Sequence, residues 1–324
     1  MTIAIVLAAA HLTVMSWNTE HYAFWRRPVE QQTLIESNMF AVCRAVNPDI
    51  LLIQETYGAF DRFRAALPNH PHARLLGACN SVYSRYPIVA VHDTYREPKL
   101  YGCTNGWNYA KGETGPFTFG MVEIDIDGRR VRACPVAMNW QPCPVLLPDD
   151  LDAAGLLADE AGPQPNGGLP RPTAIRRILD SIRPMLNEAE CIPVLIGGDF
   201  NSHSHLDWTK QTMYHFGHNG RIVDWPVSKA MLDEGFVDTY RMLHPDPMSC
   251  YGTSFPRSHA DKPESTCYAR IDFIYLKGSS LKPVSSDLFG STYHEPFEYR
   301  GVKYTCFPSD HAFQITEFEF TDKR

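Results

Sequence analysis

An acid and an amide stand two residues apart in residues 196–202, which read Ile-Gly-Gly-Asp-Phe-Asn-Ser. The apolar run before them, residues 191–195, is short enough to be a buried strand. In an extended chain this spacing points the side chains of Asp199 and Asn201 to one side. A carboxylate suits a hard cation, and an amide N–H suits a phosphoryl oxygen. The pattern indicates phosphate chemistry, with an ordinary turn as the alternative.

Polar side chains also follow other predicted strands, at the point where each strand ends. Short apolar runs precede Asn18 and Glu55, Asp272 lies near the start of a predicted strand over residues 270–276, and a polar triplet at residues 309–311 stands before a predicted final strand near residues 312–318. A buried acid is costly unless it is paired or bound to a metal. The repeated pattern therefore favours a shared site over a requirement of folding. Its members are Asn18, Glu55, Asp199, Asn201, Asp272, Asp310 and His311.

The hydrophobic pattern between these residues predicts many strands and few helices. Apolar residues recur with helical spacing through residues 31–46, and Thr173 is expected to cap a later helix. Residues 81–84 and 88–92 are predicted to pair as strands, and residues 117–138 to form a hairpin. Because helices and strands do not alternate regularly, we expect two mixed sheets packed face to face, with helices outside.

Composition and charge limit the class of protein. The chain has 324 residues, of which 44% are hydrophobic, and we predict a single domain over residues 1–324. Residues 143–172 are acidic, rich in Pro and Gly and without a clear period, so they are predicted to form a surface loop or flap. The net charge of −7 argues against a broad basic face for nucleic acid, though not against a metal-bridged one.

The cysteines and the N-terminal residues bear on the compartment. Nine cysteines without CxxC pairs favour reduced thiols over a disulfide framework. Residues 1–10 are apolar but carry no base, so a secretory signal is only the alternative to a soluble cytoplasmic protein. No apolar run approaches the ~18 residues of a membrane span. The sequence leaves the oligomeric state open, with a monomer as the default.

Five segments resemble, in order, motifs of the endonuclease/exonuclease/phosphatase superfamily, which has the deoxyribonuclease I-like fold. They are Met15-Ser16-Trp17-Asn18, Leu52-Ile53-Gln54-Glu55, Gly197-Gly198-Asp199-Phe200-Asn201, Arg270-Ile271-Asp272-Phe273-Ile274 and Ser309-Asp310-His311. Each motif alone is weak, but five in order across residues 12–311 argue against coincidence. The resemblance implies a four-layer αββα sandwich of the α/β class. It also implies a phosphoesterase that uses a divalent metal, usually Mg²⁺, with Mn²⁺ as an alternative.

The resemblance assigns several residues to a metal site. Glu55 would be the main metal carboxylate, and Asn18 would orient the site or a phosphate oxygen. Glu20 stands where some nucleases of the family place an Asp near a second metal, and a solvated acid is the alternative. Asp310 is a further candidate for the metal site, and Asp272 would orient a catalytic group or contribute to the metal shell.

The resemblance assigns other residues to the reaction. Asp199 would position or deprotonate the attacking water, and Asn201 would hold a phosphate oxygen. His311 would contact the phosphate, with a neighbouring acid fixing its tautomer. The sequence leaves open whether that acid is Asp272 or Asp310.

One position departs from the family pattern. Where family hydrolases carry a Thr-His-Leu-like segment, this chain reads Met138-Asn139-Trp140. Asn donates a hydrogen bond but cannot deliver a proton at neutral pH, so protonation of the leaving group is in question. The candidates for contact with substrate are Asn139, Trp107, His203, His205 and Arg241. The alternatives are a capped turn for the two histidines, a packed loop around Trp107 and a structural role for Arg241.

Three hypotheses for function remain at this point. The first is a Mg²⁺-dependent phosphoesterase that acts on a small phosphorylated molecule. The second is a DNA or RNA nuclease of the same fold, which would need phosphate-gripping bases around the site. The third is a catalytically weak binding protein that kept the fold, for which Asn139 is the only support.

Overall fold

The computed structural model describes residues 11–20, 28–56, 58–76, 79–96, 118–144, 146–164, 168–255 and 268–321. The strands of this part of the chain fall in fourteen segments. They are β1 (His11–Asn18), β2 (Ile50–Gln54), β3 (His72–Leu76), β4 (Asn80–Ser84), β5 (Ile88–Arg96), β6 (Thr118–Ile126), β7 (Arg129–Ala137), β8 (Val194–Asp199), β9 (Val237–Asp238), β10 (Asp272–Lys277), β11 (Leu281–Phe289), β12 (Phe297–Tyr299), β13 (Val302–Tyr304) and β14 (Phe313–Phe320).

The helices lie between these strands without a regular alternation. They are α1 (Val29–Val46), α2 (Phe60–Ala66), α3 (Ala153–Ala161), α4 (Arg171–Ser181), α5 (Arg183–Asn187), α6 (Pro226–Asp233) and α7 (Thr239–Leu243). Across the described ranges, none of the helices is long and apolar enough to cross a membrane.

Two six-stranded sheets pack face to face. The first has the order β11-β14-β1-β2-β4-β3, and the second has the order β5-β6-β7-β8-β10-β9. A core of aliphatic residues from both sheets, including Leu52, Val122 and Leu195, fills the space between them. A second core joins α1 and α2 to the first sheet, and a third joins α4 and α6 to the second. The predicted αββα sandwich is therefore confirmed.

The two glycines before Asp199 serve packing rather than a turn, because both belong to β8. A Cβ on Gly197 would lie 2.7 Å from Leu52 Cδ1 of the facing sheet. Gly198 has φ +154°, and a Cβ there would lie 1.8 Å from the Val136 carbonyl oxygen of β7. Glycine at these positions lets the second sheet approach its neighbours closely just before the strand delivers Asp199.

Residues 143–172 differ from the loop predicted from their composition. They contain helix α3, whose N-cap residue Asp152 accepts a hydrogen bond from the Gly155 N–H. Leu147 and Leu156 pack with Trp208 and Trp225 in a separate small core. The helix was not predicted because its buried face is short, and its apolar partners lie more than 40 residues away in sequence.

Two further local predictions were wrong. Strands β4 and β5 do not pair with each other: β4 pairs with β2 and β3 in the first sheet, and β5 pairs with β6 in the second. The short connection therefore crosses from one sheet to the other. Helix α4 begins at Arg171 rather than after Thr173, since Pro172 in its first turn presets the backbone for a helix.

Candidate active site

The strand ends of both sheets meet at one edge of the sandwich. In the first sheet β1 and β2 run parallel, so Asn18 lies beside Gln54 and next to Glu55. In the second sheet Asp199 of β8 lies directly opposite Asp272 of β10. The structure thus brings together polar residues separated by up to 293 positions, the distance in sequence between Asn18 and His311.

The side-chain amide of Asn18 joins the two sheets at the centre of this group. Its Nδ2 donates to Glu55 Oε1 at 3.2 Å and to Asp199 Oδ2 at 3.0 Å. His311 Nε2 lies 3.5 Å from the same nitrogen. One buried amide therefore holds two carboxylates and an imidazole within reach of a single small ligand.

The acid paired with His311 is Asp272. His311 Nδ1 lies 2.9 Å from Asp272 Oδ2, whereas Asp310 Oδ1 lies 3.8 Å from Nε2 at the other end of the ring. A hydrogen bond from Nδ1 leaves Nε2 directed toward Asn18 and Asp199. The sequence left open whether Asp272 or Asp310 pairs with His311. In the structure Asp272 bonds to Nδ1 and orients the ring, whereas Asp310 lies beside the ring.

The site contains more buried acidic groups than basic ones, and this imbalance shifts the pKa values of its side chains. Burial together with the charge of Asp310 raises the pKa of Glu55 to about 7. Burial also raises the pKa of Asp199 to about 7, and the negative charge of Asp272 adds to the shift. Burial alone would lower the pKa of His311, but Asp272, Asp310 and Asp199 outweigh it and raise that pKa well above its usual value.

Asp199 is held by three hydrogen bonds. Its Oδ1 accepts the Asn201 backbone N–H at 2.8 Å, and its Oδ2 accepts the side-chain amides of Asn201 and Asn18. Asn201 has φ +49°, a left-handed conformation that folds it back onto Asp199. A carboxylate can accept about four hydrogen bonds. The described contacts use three of these positions on Asp199, so Oδ1 can accept one more.

The amide of Asn201 is fully used within the protein. Its Nδ2 donates to Met138 O at 3.0 Å and to Asp199 Oδ2 at 2.8 Å. The expectation that this amide holds a phosphate oxygen does not fit the geometry, since both of its N–H groups are occupied. Asn201 instead orients Asp199 and ties it to the end of β7.

The donor set suits a divalent cation. Asp199, Asp272 and His311 offer ligand atoms within 4.8 Å of one another, and Asp272 Oδ1 is buried without a hydrogen-bond partner in the described residues. Glu55, which the resemblance assigns as the main metal carboxylate, joins this group through Asn18. Oxygen ligands of this kind are those that Mg²⁺ and Mn²⁺ prefer. A cation here would offset the burial and the mutual repulsion that raise the pKa values of Glu55 and Asp199.

A family model described as the Endonuclease/Exonuclease/phosphatase family matches residues 15–311. The chain belongs to this family. A protein of Caenorhabditis elegans, "Uncharacterized protein F14F9.5", is 29% identical over 287 residues, which are 85% of this chain and 82% of that protein. The family match runs from the strand that delivers Asn18 to His311 itself.

Solved structures of the family share the fold at low identity. An endonuclease/exonuclease/phosphatase from Beutenbergia cavernae has a TM-score of 0.56 at 19% identity, covering 96% of this chain and 72% of that one. The human Nocturnin catalytic domain, solved with a bound sulfate anion, has a TM-score of 0.56 at 16% identity, with 96% and 94% covered. D. rerio TDP2, solved with a single-strand DNA product, has a TM-score of 0.54 at 13% identity, with 96% and 99% covered.

Glu20 and Glu55 share an unusual backbone conformation beside Asn18. Both have positive φ, +47° for Glu20 and +61° for Glu55. The Glu20 N–H donates to Asn18 Oδ1 at 3.0 Å, so this residue helps to fix the amide that joins the carboxylates. Non-glycine residues in this region cost energy, and such strain is concentrated at functional sites.

Arg241, proposed as a phosphate contact, is buried and fully engaged. Its guanidinium donates to Asp207 Oδ1 and to the backbone oxygens of His244, Cys250 and Tyr251. These bonds use all five of its N–H groups. The structure does not support a phosphate contact for Arg241, because no donor remains for a phosphate in this conformation.

His203 and His205 also face the protein rather than an open site. His203 donates from Nε2 to Pro144 O at 2.7 Å and packs against Trp208 and Trp225, and burial lowers its pKa to about 3. His205 Nδ1 lies 2.7 Å from Ser228 Oγ. In this conformation neither ring is directed to the cluster around Asn18, so the structure does not support the expected substrate contacts.

Asn139 and Trp107 are the remaining two residues that were predicted to contact substrate. The Asn139 side chain is fully buried, at 0% exposure, and its Oδ1 accepts the Gln141 N–H at 3.3 Å. A substrate has no access to it in this conformation. Trp107 lies outside the described residues.

Several contacts of this buried group were not predicted from the sequence. The ring of Phe255 stacks on His311 with centroids 4.5 Å apart. Ser309 Oγ accepts the His311 N–H and donates to Asn18 O, and Ser254 Oγ accepts the Asp272 N–H. Ser309 lies inside a quoted motif and could have been given this role. Phe255 and Ser254 carry no sequence signal, because tertiary contact alone brings them here.

Proposed function

We propose that this protein is a divalent-metal-dependent phosphoester hydrolase that cleaves its substrate by in-line attack of water. The observation that supports this most directly is the buried group in which Asn18 holds Glu55 and Asp199 beside the Asp272–His311 pair. Few folding requirements would gather three acids and a cationic imidazole away from water. A phosphoester substrate and its cation supply the missing charge partners.

Each side chain then has a separate task. Asp199, with one acceptor position left on Oδ1, orients the water and takes its proton as the new P–O bond forms. His311, protonated and held by Asp272, donates from Nε2 to a phosphoryl oxygen and stabilises the charge that develops there. The bond to the leaving oxygen breaks on the opposite side of phosphorus. Mg²⁺ or Mn²⁺, held by Glu55 and the neighbouring acids, would supply neutralisation of that charge.

A small phosphorylated substrate fits the charge distribution better than a long polyanion. The chain carries a net charge of −7, and Arg241, the base expected to contact a phosphate, is buried in an ion pair with Asp207. A nuclease is the second candidate. It is favoured by the single-strand DNA product found with D. rerio TDP2, which shares this fold.

The test is turnover of bis(4-nitrophenyl) phosphate by the full chain, with Mg²⁺, with Mn²⁺ and with EDTA. We expect turnover that EDTA abolishes and added metal restores. The absence of metal-dependent turnover on this and on a panel of phosphomonoesters and small diesters would support a binding protein instead. A nuclease is tested separately with single- and double-stranded DNA, for which apparent affinity should fall steeply with added salt.

A further inference from the structure

A buried ion pair lies between α3 and α4. Glu160 of α3 and Arg171, the first residue of α4, are 1% and 3% exposed at their side chains, with Oε1 and Nε 3.2 Å apart. A buried ion pair of this kind commonly adds no stability over apolar residues of the same volume. Its other contacts therefore deserve a functional explanation.

Those contacts reach the two loops that follow β7 and β8. Arg171 Nη1 donates to Asn139 O at 3.1 Å and to Pro142 O at 2.9 Å. Glu160 Oε1 accepts the Ser202 hydroxyl at 2.6 Å. Ser202 directly follows Asn201, so the ion pair connects both strand ends from which Asp199 and its supports emerge.

The same two loops are connected a second time on the side of the catalytic group. Asn201 Nδ2 donates to Met138 O, and the Met138 N–H donates to Asp199 O at 2.9 Å. Hydrogen bonds thus close a ring around the two loops. One half of the ring passes through Asn201 and Met138, and the other half passes through Glu160 and Arg171.

We propose that Glu160 and Arg171 are positioning residues for Asp199. By fixing Ser202 on one loop and the carbonyls of Asn139 and Pro142 on the other, they keep the Asn201 amide bonded to Asp199. Correct packing of α3 against α4 is then required for a properly oriented Asp199. This inference rests on the proposed function for the role of Asp199.

A purely structural ion pair would behave differently. It would change the stability of the fold without changing the order of the Asn201 and Met138 peptides in the folded protein. Arg132 provides a matched control, because it is 5% exposed at its side chain, binds Glu123 and Glu188, and donates to Met185 O. It lies on β7, five residues before Ala137 and thus ~16 Å from the strand end that the site uses.

The experiment compares Arg171→Lys and Ser202→Ala with Arg132→Lys in the full chain. Lysine keeps the charge of Arg171 but lacks the fork that reaches both carbonyls and Glu160. Ser202→Ala removes only the hydroxyl, which keeps the test informative if Arg171→Lys does not fold. Hydrogen–deuterium exchange of residues 138–142 and 199–203, and kcat and KM for bis(4-nitrophenyl) phosphate, are measured well below each Tm.

We expect faster exchange of the Asn201 and Met138 amides in both site variants and no such change in Arg132→Lys. We also expect kcat to fall by roughly tenfold to a hundredfold with KM nearly constant, the effect of a small displacement of a catalytic group. Unchanged exchange in Ser202→Ala and in any folded Arg171→Lys would overturn the positioning role. So would an equal loss of kcat in Arg132→Lys. If the wild type shows no turnover, the proposed function fails, and the exchange result still decides whether these residues order the loops.

Discussion

His311 donates from Nδ1 to Asp272 Oδ2 across 2.9 Å, and both residues are buried. The bond joins His311, two residues before β14 of the first sheet, to the first residue of β10 in the second. It fixes the face and the tautomer of the imidazole, so that Nε2 is the nitrogen available to a substrate. The electrostatics of the site therefore depend on a contact between the sheets.

We predict that Asp272→Asn lowers kcat by about 10²-fold or more, because an amide does not hold the imidazolium as a carboxylate does. Since Asp272 raises the pKa of His311, the variant should also lose activity at a lower pH than the wild type does on the alkaline side. The measurement is the pH dependence of kcat/KM. A larger shift from Asp310→Asn than from Asp272→Asn would contradict the assignment.

Asp199 and His311 should both stabilise the same transition state. We predict that Asp199→Asn and His311→Ala each reduce kcat by about 10²–10³-fold. The double variant should lose little more than the worse single variant, because both support the same transition state. Single and double variants are compared on one aryl diester with saturating metal. Losses that multiply would show that the two residues serve separate steps.

The sequence predicted which residues come together at this site better than it predicted their contacts. Each of Asn18, Glu55 and Asp199 follows an apolar strand, and a strand end is a local feature that a pattern can reveal. The choice of Asp272 as the partner of His311 depends on how the two sheets pack, which no local pattern contains. The same limit explains why Arg241 was taken for a phosphate contact, since its carboxylate partner, Asp207, is 34 positions away.

For the fold, too, the sequence predicts elements that depend on local residues and misses those that depend on contacts distant in sequence. The hairpin of β6 and β7 was predictable because a two-residue turn, Asp127-Gly128, sets its register. The crossing from β4 to β5 was missed because short sequence separation usually means pairing, and here it joins different sheets. Helix α3 was missed because its stability comes from Trp208 and Trp225 of a later loop.

Glu55 should make the metal-free protein less stable as the pH rises. Its pKa is about 7 in the folded protein against an ordinary 4.5, so the protonated acid contributes stability that is complete below pH 4.5 and lost as the pH rises through 7. We predict that Glu55→Gln, which stays neutral, has the Tm of the wild type near pH 4.5. Its Tm should be higher by roughly 2–6 °C at pH 8 in EDTA.

Thermal unfolding with and without Mg²⁺ checks this prediction. Mg²⁺ should raise the Tm of the wild type at pH 8 by binding the ionised acids, and it should have much less effect on Glu55→Gln. A Tm of Glu55→Gln below that of the wild type in EDTA at pH 8 would mean that the carboxylate is stabilised by a partner. In that case, burial and the charge of Asp310 would not be what determines the stability of the Glu55 carboxylate.

Arg241 should matter for stability and not for phosphate binding. Its guanidinium and that of Arg270 share the buried carboxylate of Asp207. Removing one partner of such a network leaves a buried charge uncompensated, so we predict that Arg241→Met lowers the free energy of unfolding by about 3–5 kcal/mol. Denaturant unfolding gives this value. Turnover measured below the new Tm should keep the wild-type KM, and a large rise in KM would restore Arg241 as a substrate contact.

Asn139→His tests whether the departure from the family pattern is a loss or a specialisation. If Asn139 only fills the place of the family's His, a restored imidazole should add a proton donor and raise turnover of alkyl esters. Aryl esters, whose leaving groups need little protonation, should respond much less. The structure favours the other result, because the Asn139 side chain is fully buried, its Oδ1 holds the Gln141 N–H and its carbonyl accepts from Arg171.

A larger ring at this position has to displace the loop after β7. We therefore predict that Asn139→His lowers kcat on alkyl and aryl esters alike and reduces the Tm, since overpacking a buried site costs about 1–3 kcal/mol. Asn139→Gln, which adds nearly the volume of His but no group that can deliver a proton, is the control for volume, measured on the same two esters. A selective gain on the alkyl ester by the His variant would instead identify this chain as a family hydrolase that has lost its proton donor.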